Sequence, residues 1–133
     1  MTDCVFCKIV SGEFVSYCIY EDEFFKVILD KYPATMGHTL ILPKVHYENI
    51  YELGEKEAES LGALVVKIAK KLEGSLGCVG LNLVQNNGAK AGQEIFHFHM
   101  HLVPRYENDG IVMKWPSGNP TDEELMEAMK KLV

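Results

Sequence analysis

The chain has no basic run, and its acidic residues outnumber its basic ones, for a net charge of −6. A broad nucleic-acid footprint needs a positive face, so no nucleic-acid partner is expected. A small anion needs only a local pocket of donors and stays open as a ligand. No apolar stretch approaches the roughly 20 residues of a membrane span, so no membrane partner is expected either. The start, Met1-Thr2-Asp3-Cys4-Val5-Phe6-Cys7, lacks a basic opening and a long apolar region. No secretory signal is read there, and a cytoplasmic setting is the expectation. Cysteine is scarce, at four residues. In the cytosol such cysteines read as metal ligands or buried thiols sooner than as disulfides. Internal repeats and low-complexity segments are absent. What remains is 133 residues, 47% hydrophobic and 24% charged, which is ordinary for one globular domain with a sizeable core.

Histidine is scarce too, yet three of the five are packed into Phe96-His97-Phe98-His99-Met100-His101-Leu102-Val103-Pro104-Arg105. They fall at every second position, with apolar residues strictly between. A strand sends alternate side chains to opposite faces. The reading is therefore a strand with His97, His99 and His101 on one face and Phe96, Phe98, Met100 and Leu102 on the core face. A helix would scatter the imidazoles.

The rest of the chain supplies partners for that strand. Residues 4–10 read as one or two helical turns stopped by Ser11-Gly12. Residues 17–20 and 24–30 are β-rich and flank Glu21-Asp22-Glu23, suggesting a hairpin. His38–Leu42 is a third strand, stopped by Pro43-Lys44. From about Glu55 to Leu72, the spacing of Ala58, Leu61, Leu64 (or Val65), Ile68, Ala69 and Leu72 predicts a helix, ended by Gly74 and Gly77. Gly80–Asn86 is a fourth strand, joined by a Gly-containing loop to the histidine strand as an antiparallel hairpin. The tail reads as a packing helix with Thr121 as N-cap and Glu124 completing a capping box.

Clustered imidazoles share protons, bind a metal or hold an anion. Alternate residues on a strand lie about 6.5–7 Å apart, which does not favour three of them on one ion at about 2 Å each. An imidazole nucleophile flanked by two others, with a phosphoryl group as substrate, fits better. Asn86, the loop Gly88–Gly92 and Gln93 precede the strand and offer amide donors and close backbone approach. A plain hairpin loop would also use Asn and Gly. The pair Cys4-x-x-Cys7 is half a zinc site; read alone it is equally a redox motif or two buried thiols. Cys18 and Cys78 have no partner pattern and read as core thiols. Arg105 is expected to end its strand in solvent.

His97-Phe98-His99-Met100-His101-Leu102-Val103 resembles the signature of the histidine-triad (HIT) nucleotide-binding proteins, His-φ-His-φ-His-φ-φ with φ apolar. The resemblance extends to Cys4–Glu13, Leu29–Pro33, Gly37–His46 and Gly88–Gln93, and more weakly to Met113–Pro116. It implies an α+β fold: a five-stranded antiparallel sheet with one long helix and short terminal helices, paired as a homodimer. The domain would span 1–133, with a core of about 4–105 and a C-terminal extension, 106–133. It also implies a nucleotide-binding hydrolase of nucleoside monophosphate derivatives, purine ones foremost, through a covalent nucleotidyl-histidine. His99 would be the nucleophile and His101 would hold the phosphate oxygens. Asp30 would bind the ribose hydroxyls, since a carboxylate accepts two hydrogen bonds. Phe6, Ile9, Ile28 and Leu29 would line the base pocket, beside Lys31. Asn86, Gly92, Gln93 and Glu94 would approach the phosphate, and His38 would support the triad.

The same resemblance bears on the cysteines. Bacterial members pair them with the histidine after Pro-Lys and with the first triad histidine, here His46 and His97. That Cys4, Cys7, His46, His97 set would hold a structural zinc. Two positions depart from the pattern. Glu94 stands where a phosphoramidase branch has a serine that assists the leaving group, and a carboxylate there repels phosphate unless protonated or turned away. Lys31 replaces an apolar residue next to the ribose site. Alternatives to the hydrolase are cleavage of dinucleoside polyphosphates, nucleotidyl transfer, a nucleotide-binding regulatory module with little turnover, or a metal-binding protein in which the triad itself holds the ion. Trp115 either reaches toward a partner subunit's site or covers its own surface.

Overall fold

The computed structural model describes residues 3–133; Met1 and Thr2, which open the expected domain and the N-terminal reading, lie outside the described residues. The elements run α1 (Val5–Ser11), β1 (Tyr17–Glu21), β2 (Phe25–Leu29), β3 (Thr39–Pro43), α2 (Glu55–Leu76), β4 (Gly80–Val84), one 3₁₀ turn (Ala89–Ala91), β5 (Met100–Arg105) and α3 (Asp122–Leu132). The strands form one antiparallel sheet in the order β1-β2-β3-β5-β4. The expected α+β fold, a five-stranded antiparallel sheet with one long helix and shorter terminal ones, is the fold observed.

Strand alternation splits the core in two. Phe25 and Val27 of β2, Ile41 of β3 and Leu102 of β5 face α2 and meet Leu64, Val65, Ile68 and Leu72. Their neighbours Ile28, Leu40 and Leu42 point to the other face and meet Phe6 of α1. The central strands are thus buried on both sides. Replacing Ile41, which is fully buried, by Ala should lower unfolding free energy by about 3 kcal/mol in a urea melt. A loss below about 1 kcal/mol would mean that the sheet does not pack on α2 as described.

Several expectations are corrected. α2 runs through Gly74 and stops at Gly77, which adopts φ 65° as a left-handed cap. Ala58 is exposed, and Glu57 is buried in its place beside Tyr47. β3 includes Pro43, β4 ends at Val84, and the β4–β5 connection is long. Cys18 is exposed. Arg105 is engaged, pairing through both Nε and Nη2 with Asp109 and donating to Asn82 and the Ile111 carbonyl. α3 has its capping box, Thr121 with Glu124, but buries none of its residues. Among the described residues no helix is long and apolar enough to cross a membrane.

The largest correction concerns the histidines. Only His101 lies in a strand; His97 and His99 precede it in irregular backbone. β5 pairs with β3 over Met100–Leu102 only. Pro43 has no N–H to offer a ladder, and its carbonyl is taken instead by the His97 side chain, whose Nε2 donates to it at 2.9 Å. Phe98 N–H donates to the Tyr47 carbonyl. Phe96 is thrown outward and is 43% exposed, while Phe98 and Leu102 stay in the interior as expected.

Candidate active site and metal centre

α1 is short, and both of its ends are capped. Cys4 is the N-cap, its sulfur accepting from Cys7 N–H, and Gly12 supplies the left-handed turn that ends the helix, at φ 86°. This places Cys4, Phe6 and Cys7 on one turn above the sheet. Lys26 Nζ reaches the Ile9 carbonyl at 3.1 Å and pins the far end.

Cys4, Cys7, His46 and His97 converge, each with one ligand atom within 4.8 Å of the others. Cys4 Sγ and Cys7 Sγ lie 3.5 and 3.6 Å from His97 Nδ1, Cys7 Sγ lies 3.3 Å from His46 Nδ1, and the two Nδ1 atoms are 3.2 Å apart. Zinc bonds of about 2.3 Å to sulfur and 2.0–2.1 Å to nitrogen, at tetrahedral angles, give S···N edges of about 3.5 Å and N···N edges of about 3.4 Å. Those four edges match the ones a tetrahedral zinc ion requires, and the other two lie within 4.8 Å. Because His97 Nε2–H donates to Pro43 O, its Nδ1 carries the lone pair, which is the tautomer a ligand needs. Burial, then Cys4 alongside, pushes the Cys7 thiol up; burial holds His97 down to about 4. Both effects are those of desolvation on donors that face one another.

His99 is 8% exposed, and its Nδ1–H donates to the His97 carbonyl at 2.7 Å. That bond leaves the lone pair on Nε2. Burial holds the imidazole below its ordinary range, so it is neutral at pH 7. Phe6 meets its ring edge-on, with centroids 4.9 Å apart.

His101 sits opposite Leu40 on the α1 face of the sheet. Its Nδ1 is 2.9 Å from His38 Nε2, and His38 Nδ1 accepts from Ala34 N–H at 3.0 Å. Neutral His38 therefore carries its proton on Nε2 and donates it to His101 Nδ1. His101 in turn carries its own proton on Nε2. Burial, with His99 and His38 beside it, holds His101 down to about 4; burial also lowers His38, although Asp30 opposes it. Asp30 Oδ2 is 3.7 Å from His38 Nε2, too long for a hydrogen bond. Asp30 Oδ1 accepts from Tyr32 N–H at 2.9 Å.

A cleft of about 920 Å³ opens on this face. Of the residues expected to bind a nucleotide, Phe6, Ile9, Ile28, Leu29, Asp30, Lys31, Asn86, Gly92, Glu94 and His101 line it, and so does His99. Two do not. His38 stands behind His101, touching it instead. Gln93 is buried and pins the loop: its amide donates to the Glu48 and Ile95 carbonyls, and its oxygen accepts from Gly88 N–H. Sequence reasoning missed the wall formed by Phe14, Val15, Ser16 and Tyr17. It also missed the backbone of Pro43, Tyr47 and Ala34, whose roles leave no mark in side-chain identity. The signal for the wall was Gly12, which turns the chain out of α1 and across the cleft.

Residues 11–108 match the family model described as the HIT domain. The chain is 45% identical over 114 residues to the Bacillus subtilis protein named Protein hit, covering 85% of this chain and 79% of that one. It is 43% identical over 107 residues to the adenylylsulfatase HINT3 of Arabidopsis thaliana, covering 80% and 54%. It is 33% identical over 131 residues to the adenosine 5′-monophosphoramidase HNT1 of Saccharomyces cerevisiae, covering 98% and 80%. The crystal structure of a HIT family protein from Bacillus anthracis superimposes with a TM-score of 0.91 at 43% identity, covering 98% of this chain and 94% of that one. A zinc-bound histidine triad family protein from Mycobacterium smegmatis does so with a TM-score of 0.78 at 37% identity, covering 98% and 96%.

Proposed function

The chain belongs to the HIT family, and from that premise we propose that it hydrolyses nucleoside monophosphate derivatives at the α-phosphorus, with His99 as the nucleophile. One observation carries this reading: His99 donates from Nδ1 to the His97 carbonyl, so a neutral imidazole with its lone pair on Nε2 lines a cleft that also holds Asp30 and His101. Neutral imidazole is a good nucleophile, and a fixed ring loses no orientation entropy when it attacks.

In this reading the base lies against Phe6, Ile9, Ile28 and Leu29, and Lys31 lies beside the ribose. Asp30 keeps one carboxylate oxygen on Tyr32 N–H and turns the other to the ribose hydroxyls. His101 Nε2–H donates to a nonbridging phosphate oxygen, with Asn86 and the backbone at Gly92 beside it. His99 Nε2 forms a bond to phosphorus as the bond to the leaving group breaks, and the departing group takes the electron pair, sulfate leaving as its anion and an amine with a proton taken up from solvent. The His99 imidazolium so formed keeps its Nδ1–H on the His97 carbonyl, which stabilises the charge. Water then attacks phosphorus and gives up a proton to solvent, the P–N bond breaks with its electron pair returning to His99 Nε2, and the nucleoside monophosphate leaves with His99 neutral again. His38 is a positioning residue, setting the His101 tautomer, and Gln93 holds the loop that brings Gly92 and Glu94 to the phosphate. Cys4, Cys7, His46 and His97 would hold a structural zinc that ties α1 to the sheet. The whole of 1–133 is one such domain in this proposal, with a core of about 4–105 and an extension, 106–133, and it works as a cytoplasmic homodimer.

The relatives named for adenylyl sulfate and for adenosine monophosphoramidate supply the two substrates to try. Release of AMP from either, stoichiometric with loss of substrate, supports the proposal. AMP binding without turnover of any adenylate would overturn it in favour of a binding module. The pH profile follows from His99 and His101. A depressed pKa keeps the neutral form in place to lower pH, so loss of activity moves acidward. Burial holds both the His99 nucleophile and His101 below the ordinary histidine range, so kcat/KM should stay level through about pH 6.5 and its acid limb should fall below that value. An acid limb near the ordinary histidine value of about 6.5 would contradict this.

A further inference from the structure

His97 makes three attachments with three different groups. Its Nδ1 belongs to the Cys4, Cys7, His46 cluster, its Nε2–H donates to Pro43 O, and its carbonyl holds His99 Nδ1–H. The segment His97–His99 has no strand partner. Its other tether is Phe98 N–H to the carbonyl of Tyr47, the residue next to His46. What holds the His99 ring therefore runs back to the cysteine–histidine cluster and residues 43–47.

α1 adds a second link. Phe6 lies between Cys4 and Cys7 and meets both rings edge-on, His97 at 5.8 Å and His99 at 4.9 Å. Ile9, about one turn further along α1, lines the cleft with Phe6. A seven-residue helix does not hold itself together in water. Its place depends on the contacts of Phe6 and of the two cysteines at one end, and on Lys26 at the Ile9 carbonyl at the other.

We propose that the Cys4–Cys7–His46–His97 centre is the positioning device of the nucleophile, with His97 and Phe6 as positioning residues: a divalent ion bound there sets the His99 imidazole and the apolar wall of the cleft together. The inference rests on the nucleotide reading above and adds to it a dependence of chemistry and of base binding on metal occupancy. Linkage makes the coupling reciprocal, so a nucleotide in the cleft must in turn act on the metal centre.

The test compares zinc-loaded protein with the same protein stripped by a chelator, and with protein carrying Co²⁺ in place of zinc. Stripping is expected to slow single-turnover cleavage of an adenylate about 10–100-fold, to weaken AMP binding several-fold, and to turn the single His99 tautomer seen by ¹⁵N NMR into a mixture. Readmitted zinc should restore all three. In the Co²⁺ protein, AMP should shift the visible bands with the half-saturation found by calorimetry. Phe6→Leu should keep its zinc and lose about tenfold in kcat. The proposal is overturned if stripped protein that stays folded by circular dichroism keeps rate, affinity and tautomer within twofold. Cobalt bands indifferent to saturating AMP, or a Phe6→Leu variant with unchanged kcat, also overturn it, and both arms stand even where stripping unfolds the chain. Zinc-loaded protein that binds no AMP fails the nucleotide reading instead; that failure is distinct, because the tautomer comparison uses no nucleotide.

Discussion

His99→Ala is expected to lower kcat for an adenylate substrate by about 10,000-fold or more. It should leave AMP affinity within a few-fold. The ring is the only imidazole on the cleft whose Nδ1 is held by a main-chain carbonyl and whose Nε2 is left with the lone pair. His101 lines the same cleft but cannot take over, because its Nδ1 accepts from His38 and its Nε2 carries the proton. Its removal takes away a donor and not the nucleophile, so His101→Ala should cost about 100–1,000-fold. The order of the two effects is the informative quantity. If His101→Ala proved the more damaging, the roles drawn from the tautomers would be reversed.

Cys4→Ser is expected to take bound zinc from one ion per chain to none. Ser is itself a good N-cap, so the variant keeps the capping of α1 and isolates the loss of the ligand. A metal that binds only the folded state adds its binding free energy to stability. The variant should therefore lose about 3 kcal/mol or more, with a melting temperature that no longer rises on adding zinc. The native protein should show that rise. Equal zinc content in the two proteins, measured by atomic emission, would remove the metal centre.

Asp109 shows how an ion pair outside the cleft was hidden in the sequence. Nothing in Arg105 or Asp109 alone marks them as partners, yet Asp109 accepts from the guanidinium and from the backbone of Tyr106 and Ile111. Such pairings depend on how a loop closes, which local pattern does not encode. The sheet was legible for the opposite reason. Strands bounded by Gly, Pro and acidic turns announce themselves, and α2 carries its apolar stripe at helical spacing. The histidine run was legible as chemistry and misread as structure. Alternation predicted one continuous strand, but alternation reports only which side each residue takes. It does not report that Pro43 ends the ladder on β3 or that Tyr47 takes up Phe98 N–H. His46 and His97 illustrate the same limit. Cys4-x-x-Cys7 read from its own residues as half a site; His46 and His97 were supplied by the family resemblance alone, because their convergence needs the loop after β3 to meet the segment before β5. Gln93 had the right neighbourhood and the wrong task, since its amide is used up on backbone carbonyls.

The account turns on a covalent bond between His99 and the phosphorus of a nucleotide. It is tested most directly by mixing the protein with an adenylate labelled at the α-phosphorus, quenching within a turnover and mapping the label by peptide mass spectrometry under alkaline conditions. The account predicts an acid-labile nucleotidyl group on His99, lost in His99→Ala. Label found on another residue, or turnover with no labelled peptide at any quench time, would contradict it.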